Sequence, residues 1–194
     1  MAARTGMATI ISDLRQKTNA GTADYTLGAT TFWQDSQLQA ELDKTQQTWR
    51  SVPLNKVPTL VNGTYEYYDY FVPAEMTGEL EENAVDSGWA VKDSTGGTVS
   101  AANYAVNYQA KRITFSANTQ GSALYLDART YNTNKAAANV WRMKASAVSA
   151  NVDWQSDNHR VSASQESANC LRMASYFDEL AGSSTGRFVR VDEV

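Results

Sequence analysis

The period of the hydrophobic residues changes twice along this chain, and that change constrains the fold more than any other feature. In "FWQDSQLQAELDKTQQTWR", Leu38, Leu42 and Trp49 recur at i, i+4 and i+11, a helical spacing with Asp35 or Ser36 at its start. From Val57 onward, "VPTLVNGTYEYYDYFVP" is β-branched and aromatic, with Asn62-Gly63 as a turn between two strands. "GWAVKDSTGGTVS", "YAVNYQAKRITFSA" and "SALYLDARTY" continue the strand pattern to Tyr131. Helical spacing then returns, with Ala137, Val140, Trp141, Ala145, Val148 and Val152 on one stripe, widened by Ala136 and Ala138. Helix, strand, helix implies an α+β fold: a small bundle of about four helices with an antiparallel β domain inserted between the second and third. The expected divisions are N-terminal helices over 1–56, the inserted β domain over 57–133, C-terminal helices over 134–181 and an extended arm over 182–194.

Local signals refine this outline. "TIISDLRQKT" places Ile10, Ile11 and Leu14 on one side of a short helix, with Thr9 as its N-cap, and the Gly/Thr/Asn-rich stretch 19–31 reads as loop. Thr133 or Asn134 caps the third helix. The last helix opens on a capping box, Ser162 with Gln165, carries Leu171, Ala174, Phe177 and Ala181 on one face, and stops at Gly182. Met7 is a candidate natural start, with the six residues before it as a leftover. In the arm, "RFVRV" alternates, Phe188 with Arg190 on one side and Val189 with Val191 on the other.

Formal net charge is −4, which argues against a basic nucleic-acid-binding surface. The acidic excess is concentrated: from Val57 to Thr133 there are four basic and nine acidic residues, including "EMTGELEENAVD". This run reads as a solvated loop or as a surface that repels phosphate or meets a basic partner. A single cysteine, Cys170, excludes an internal disulfide and a multi-cysteine zinc site. The one histidine, His159, lies in a polar connector, and Cys170 falls on the apolar side of the last helix. Glu81 with Glu82, or Asp127 with Glu66, are weak candidates for a carboxylate pair, and "STGG" lacks the ending of a phosphate loop. No catalytic, metal or cofactor site is expected. No apolar run approaches the ~20 residues of a membrane span, and the start is too weakly apolar for a secretory signal, so an intracellular or packaged protein is expected.

Segment order gives a resemblance. "DLRQKTN", "QDSQLQAELDKTQQ", "YYDYFVP", "GWAVKDSTGGTV", "ITFSA", "YLDARTYNTNKAAANVWRMKASA" and "NVDWQSDNHRVSASQESANCLRMASYF" together resemble the head-to-tail adaptor, or head completion, proteins of tailed bacteriophages. The likeness runs from Ile10 to about Phe177 and is most specific where "ARTYN" meets "AAANVWRMKA". Two positions depart from the pattern: Asn132 follows Tyr131 where the family tends to have Asp, and Gln34 stands where Ser or Thr is the commoner cap.

The resemblance implies a non-catalytic virion protein of the capsid–tail neck, assembled in the host cytoplasm. Such proteins form a ring of about twelve copies below the portal protein, bind neighbouring subunits and tail or stopper proteins, and let DNA pass without sequence-specific contact. It further implies that Arg187, Phe188, Val189, Arg190 and Val191 dock on the portal or a neighbour. Ala137, Val140, Trp141 and Lys144 would serve helix packing or the ring interface, and Glu79, Glu81 and Glu82 would face the channel or a partner. A virion surface module that binds glycan or a receptor through Tyr67 and Tyr70 is the alternative.

Overall fold

Strand begins at Gln46, in the middle of the sequence predicted to continue the second helix. The computed structural model describes residues 3–27, 29–84, 86–149, 154–156, 159–161 and 163–183. Its elements in order are α1 (Ala8–Thr18), β1 (Tyr25–Leu27), β2 (Thr30–Phe32), α2 (Asp35–Asp43), β3 (Gln46–Pro53), β4 (Asn55–Val61), β5 (Thr64–Phe71) and β6 (Glu79–Leu80). There follow β7 (Ala90–Lys92), β8 (Tyr104–Asn107), β9 (Arg112–Phe115), β10 (Tyr125–Tyr131), α3 (Thr133–Ser149), β11 (Trp154–Ser156), β12 (His159–Val161) and α4 (Ala163–Ser183). Two compact units emerge: residues 1–12 with 45–132, and residues 13–44 with 133–194.

The fold is α+β, but it is not a helical bundle carrying one inserted β domain. Strands occur in both units, as two four-stranded sheets and two separate hairpins. The stretch 19–31, expected to be loop, holds the hairpin β1–β2, in which Tyr25 lies opposite Phe32 and stacks on it at 4.9 Å. That cross-strand aromatic pair supplies stabilisation that a Gly/Thr-rich composition conceals. A second hairpin, β11–β12, contains the backbone of His159. Helix α2 ends at Asp43 because Trp49 has a better partner in a sheet. In β3 it lies opposite Ala128, and its indole Nε1 donates to Thr130 Oγ1 at 2.9 Å. Tertiary pairing here overrides the helical period.

The helix ends differ from expectation in detail. Gln34, the unusual cap, forms a reciprocal capping box with Gln37 at the start of α2. Thr9 lies inside α1 rather than at its cap, and its hydroxyl donates to Glu82. Leu171 is exposed, whereas Ala163, Cys170, Ala174 and Phe177 form the buried face of α4, and the helix runs past Gly182 to Ser183. Ser162, Val152 and the arm 184–194 lie outside the described residues.

In the β-rich unit, one sheet runs β3-β10-β6 with β7 also on β10, and the other runs β4-β5-β9-β8. Tyr70, Ile113 and Phe115 from the second sheet share one core with Leu80, Val91, Leu126 and Ala128 from the first. The sheets therefore form a small sandwich. Asn62 and Gly63 both have positive φ, 49° and 82°, as a two-residue hairpin turn requires. Between β3 and β10 the register shifts: Val52 faces Leu126 and Trp49 faces Ala128, so Arg50 and Ser51 share Asp127. Ser51 sits at φ 50°, and its free N–H donates to Asp127 Oδ1 at 2.6 Å. Lys92 Nζ binds the other oxygen at 2.6 Å. One carboxylate thus fixes the bulge.

A second carboxylate joins three segments of the same unit. Glu81, just past β6, is 1% exposed. Its Oε1 accepts from Arg4 Nε at 3.2 Å and its Oε2 from the Tyr131 hydroxyl at 2.7 Å, with Arg129 Nη1 3.6 Å away. Arg4 Nη2 also reaches the Tyr131 hydroxyl at 2.9 Å. Next to it the Glu82 amide donates to the Gly6 carbonyl, and a side chain at Gly6 would stand 2.6 Å from the Glu82 oxygen. Arg4 and Gly6 therefore take part in the packing of this unit.

Two outcomes are expected. Glu81→Ala removes the carboxylate that Arg4, Arg129 and the Tyr131 hydroxyl share. Because both arginines keep some access to water, the loss falls at the low end of the range for broken buried pairs, about 3 kcal/mol, read as reduced hydrogen-exchange protection across β10. For Asp127, burial alone would raise the carboxyl pKa, but the Lys92 and Ser51 hydrogen bonds and the Lys92 and Arg50 charges outweigh it and hold it below 3.8. Its contribution to stability is complete above that value and is lost as pH falls through the lower folded pKa. Asp127→Asn should lower stability at neutral pH and flatten the acid limb of a stability–pH curve.

Candidate functional site

Each unit carries a cluster of large hydrophobic side chains that stand exposed among the described residues. The eight large hydrophobic side chains that stand exposed among the described residues fall on only two elements: Val57, Leu60, Tyr65 and Phe71 on the β4–β5 ribbon, and Leu171, Met173, Tyr176 and Leu180 on α4. Exposed hydrophobics scattered singly are ordinary, but clusters mark surfaces that meet something.

The ribbon follows from its register. Residues directly opposite in an antiparallel pair share a face, so Leu60 with Tyr65, Val57 with Asp69 and Asn55 with Phe71 define one side. Tyr70 points to the other side, into the core, and is fully buried, with its hydroxyl bonded to Thr119 and the Ser122 carbonyl. The partner strand β9 covers only Asp69–Phe71, and the Asn118–Thr119 loop reaches as far as Tyr67. Past that point the hairpin has no neighbour on either edge among the described residues. Leu60 is 63% and Tyr65 64% exposed, a cross-strand pair at the tip.

On α4 the spacing does the same work. Met173, Tyr176 and Leu180, at i, i+3 and i+7, form a stripe beside the buried face, with Leu171 on the opposite side. The stripe leads into an open cleft of about 680 Å3 within the helical unit, whose walls include Asp24, Tyr25, Trp141, Glu166, Cys170 and Met173. Burial and the Glu166 carboxylate push the Cys170 thiol pKa up, against the opposing pull of Lys144, so the thiol is a weak nucleophile.

Residues proposed from sequence fall into distinct roles. Ala137 and Val140 are fully buried within the helical unit, so their faces are already used in packing. Trp141 and Lys144 serve the end of α1. The indole Nε1 donates to the Lys17 carbonyl at 3.2 Å. Lys144 Nζ donates to the carbonyls of Thr18 and Asn19, both at 3.0 Å, and binds Asp24 at 2.7 Å while lying 5.2 Å from the Trp141 ring centre. All three donors of the ammonium are engaged, so it caps the helix terminus instead of offering a charge to a partner. Of the acidic trio, Glu79 is exposed and Glu82 half-buried, but Glu81 is enclosed by Arg4, Arg129 and Tyr131 and cannot face a channel. Arg187, Phe188, Val189, Arg190 and Val191 lie outside the described residues. No group of three or more His, Cys, Asp and Glu among the described residues could hold a metal ion, and no described helix is long and apolar enough to cross a membrane.

The ribbon and the α4 stripe are absent from the sites proposed from sequence, although both left a signal. Leu60 and Tyr65 stand two residues before and after Asn62-Gly63, so a two-residue turn must set them opposite each other. On α4, two helical stripes compete, and side-chain size alone favours the wrong one at Leu171.

Comparison with protein-family models, curated proteins and solved structures finds no match to the chain. Function must therefore be argued from these surfaces.

Lys144→Met should destabilise the helical unit by about 2–3 kcal/mol, because two helix-end carbonyls and Asp24 lose a charged donor together. Trp141→Phe, which removes one indole hydrogen bond, should lower stability by about 1 kcal/mol. Hydrogen exchange at the last turn of α1 reads both.

Proposed function

We propose that the protein is a structural adaptor of a tailed-phage virion, one subunit of a ring that joins the portal protein to tail components. The observation that carries this reading is the confinement of every large exposed hydrophobic among the described residues to two elements, one in each unit. A joining protein needs two such surfaces, one for each body it connects or one for each neighbour in a closed ring. The segment order of the chain supplies the resemblance to head-to-tail adaptors, and the acidic excess between Val57 and Thr133 suits a wall past which DNA slides.

The glycan-binding alternative loses support from the position of its residues. Tyr70 is buried, and Tyr67 packs its ring on Gly121 with Lys56 above it. Those tyrosines are occupied in holding the sandwich together.

Electron microscopy of the chain mixed with the portal protein encoded near it tests the reading. The expected result is a ring stacked on the portal. Leu60→Ser with Tyr65→Ser should abolish stacking or weaken it at least tenfold while leaving the circular dichroism spectrum unchanged, because both side chains are solvent-exposed in the subunit. Bare portals beside unbound wild-type protein would overturn the proposal.

A further inference from the structure

The open cleft of the helical unit has walls of a definite chemistry. Its volume, about 680 Å3, falls within the roughly 300–1,000 Å3 of small-molecule sites. All of its walls belong to one unit: Asn19 just beyond α1, residues 24–26 at β1, four residues of α3 and four of α4. Ala147, Val148 and Met173 give it apolar surface, and Tyr25 and Trp141 give it aromatic surface. The thiol of Cys170 lies in the same wall, 8% exposed, with no hydrogen-bond partner for its sulfur among the described residues.

Charge decides what such a cleft accepts. Asp24, Lys144 and Glu166 line it, and two of the three cancel. Lys144 Nζ binds Asp24 Oδ2 at 2.7 Å and gives its other donors to the Thr18 and Asn19 carbonyls, while Asp24 Oδ1 accepts from the Gly21 amide at 2.5 Å. Glu166 is left over. It is exposed near the start of α4 and has no hydrogen-bond or ion-pair partner among the described residues. The one basic side chain of α4, Arg172, donates instead to Asn169 Oδ1 at 3.3 Å. The Glu166 charge bears on the cleft interior, since after burial it is the next cause of the raised Cys170 thiol pKa. No uncommitted positive charge therefore lines the cleft to receive an anion, whereas a cation meets a carboxylate beside apolar and aromatic walls.

We infer that the cleft binds an organic cation with an apolar stem, an ammonium or guanidinium that pairs with Glu166 while the stem lies along Val148 and Met173. A free amine and a lysine or arginine side chain of another polypeptide both present that chemistry. The inference goes beyond the adaptor reading and does not depend on it, because it concerns one cleft of the free subunit.

Cys170 is the only thiol of the chain and lines the cleft, so its alkylation by iodoacetamide reports occupancy. In the full chain, at constant ionic strength, n-hexylammonium should slow alkylation saturably, and 1-hexanol and hexanoate should do so far more weakly. Glu166→Gln should raise the half-protecting hexylammonium concentration about 3- to 5-fold, the scale of an exposed ion pair, and leave that of hexanol unchanged. A carboxylate that serves only the N-terminus of α4 would instead lower thermal stability when neutralised and leave the hexylammonium midpoint where it was, which would overturn the inference. The peptide N-acetyl-Leu-Lys-Leu-amide distinguishes the two sources. Protection at a lower concentration than hexylammonium assigns the site to a side chain of a partner, the reverse order assigns it to a free amine, and either order supports the site. Equal protection by hexylammonium, hexanol and hexanoate, or no saturable protection at all, would overturn it.

Discussion

Burying a carboxylate is costly unless its oxygens are satisfied, and Glu81 shows how this chain meets that requirement. One side chain draws Arg4 from the beginning of the chain and Arg129 with Tyr131 from the end of the β region to the same point. Its main chain meanwhile extends the pairing of β6, the Glu81 amide donating to the Arg129 carbonyl. The strand that carries Arg129 and Tyr131, β10, is also the one on which β3, β6 and β7 all pair. The carboxylate therefore sits at the edge of the first sheet of the sandwich, where it ties the end of β10 to the segment after β6 and to Arg4. A buried ionic group adds little net stability over an apolar one, yet it penalises every arrangement that leaves it unpaired. Specific pairing of these segments is what the sandwich gains from it.

The helical unit meets the same problem at a helix end. Helix α1 finishes with carbonyls that have no partner of their own, and α3 supplies donors from Trp141 and Lys144. From sequence these residues are candidates for helix packing or a ring interface. In the fold both are consumed in closing a helix terminus, and the apolar surfaces left over lie elsewhere. That leftover is what supports an assembly role: a ribbon whose outer face holds Leu60 and Tyr65, and a helix whose stripe holds Met173, Tyr176 and Leu180.

Legibility in the sequence followed physical range. The Asn62-Gly63 turn, the alanine-rich helix and the buried side of Cys170 are set by local conformation and periodicity, and they could be read directly. The end of α2 could not, since Leu42 and Trp49 keep helical spacing and only the distant Ala128 and Thr130 draw Trp49 into a sheet. The hairpin β1–β2 was hidden for a similar reason, its stabilising Tyr25–Phe32 stack lying within a Gly/Thr-rich stretch. Glu81 misled most. Its neighbours in sequence are acidic and polar, which suggests solvent, while its partners are 77 and 48 residues away in the chain. Long-range charge pairing leaves no local pattern.

The claim that the ribbon is an assembly surface can be measured most directly by hydroxyl-radical footprinting of Leu60 and Tyr65, comparing the free chain with purified phage necks. The account predicts rapid modification in the free chain and strong protection in the neck, with Tyr70 unreactive in both. Equal modification of Leu60 and Tyr65 in the two states would contradict it.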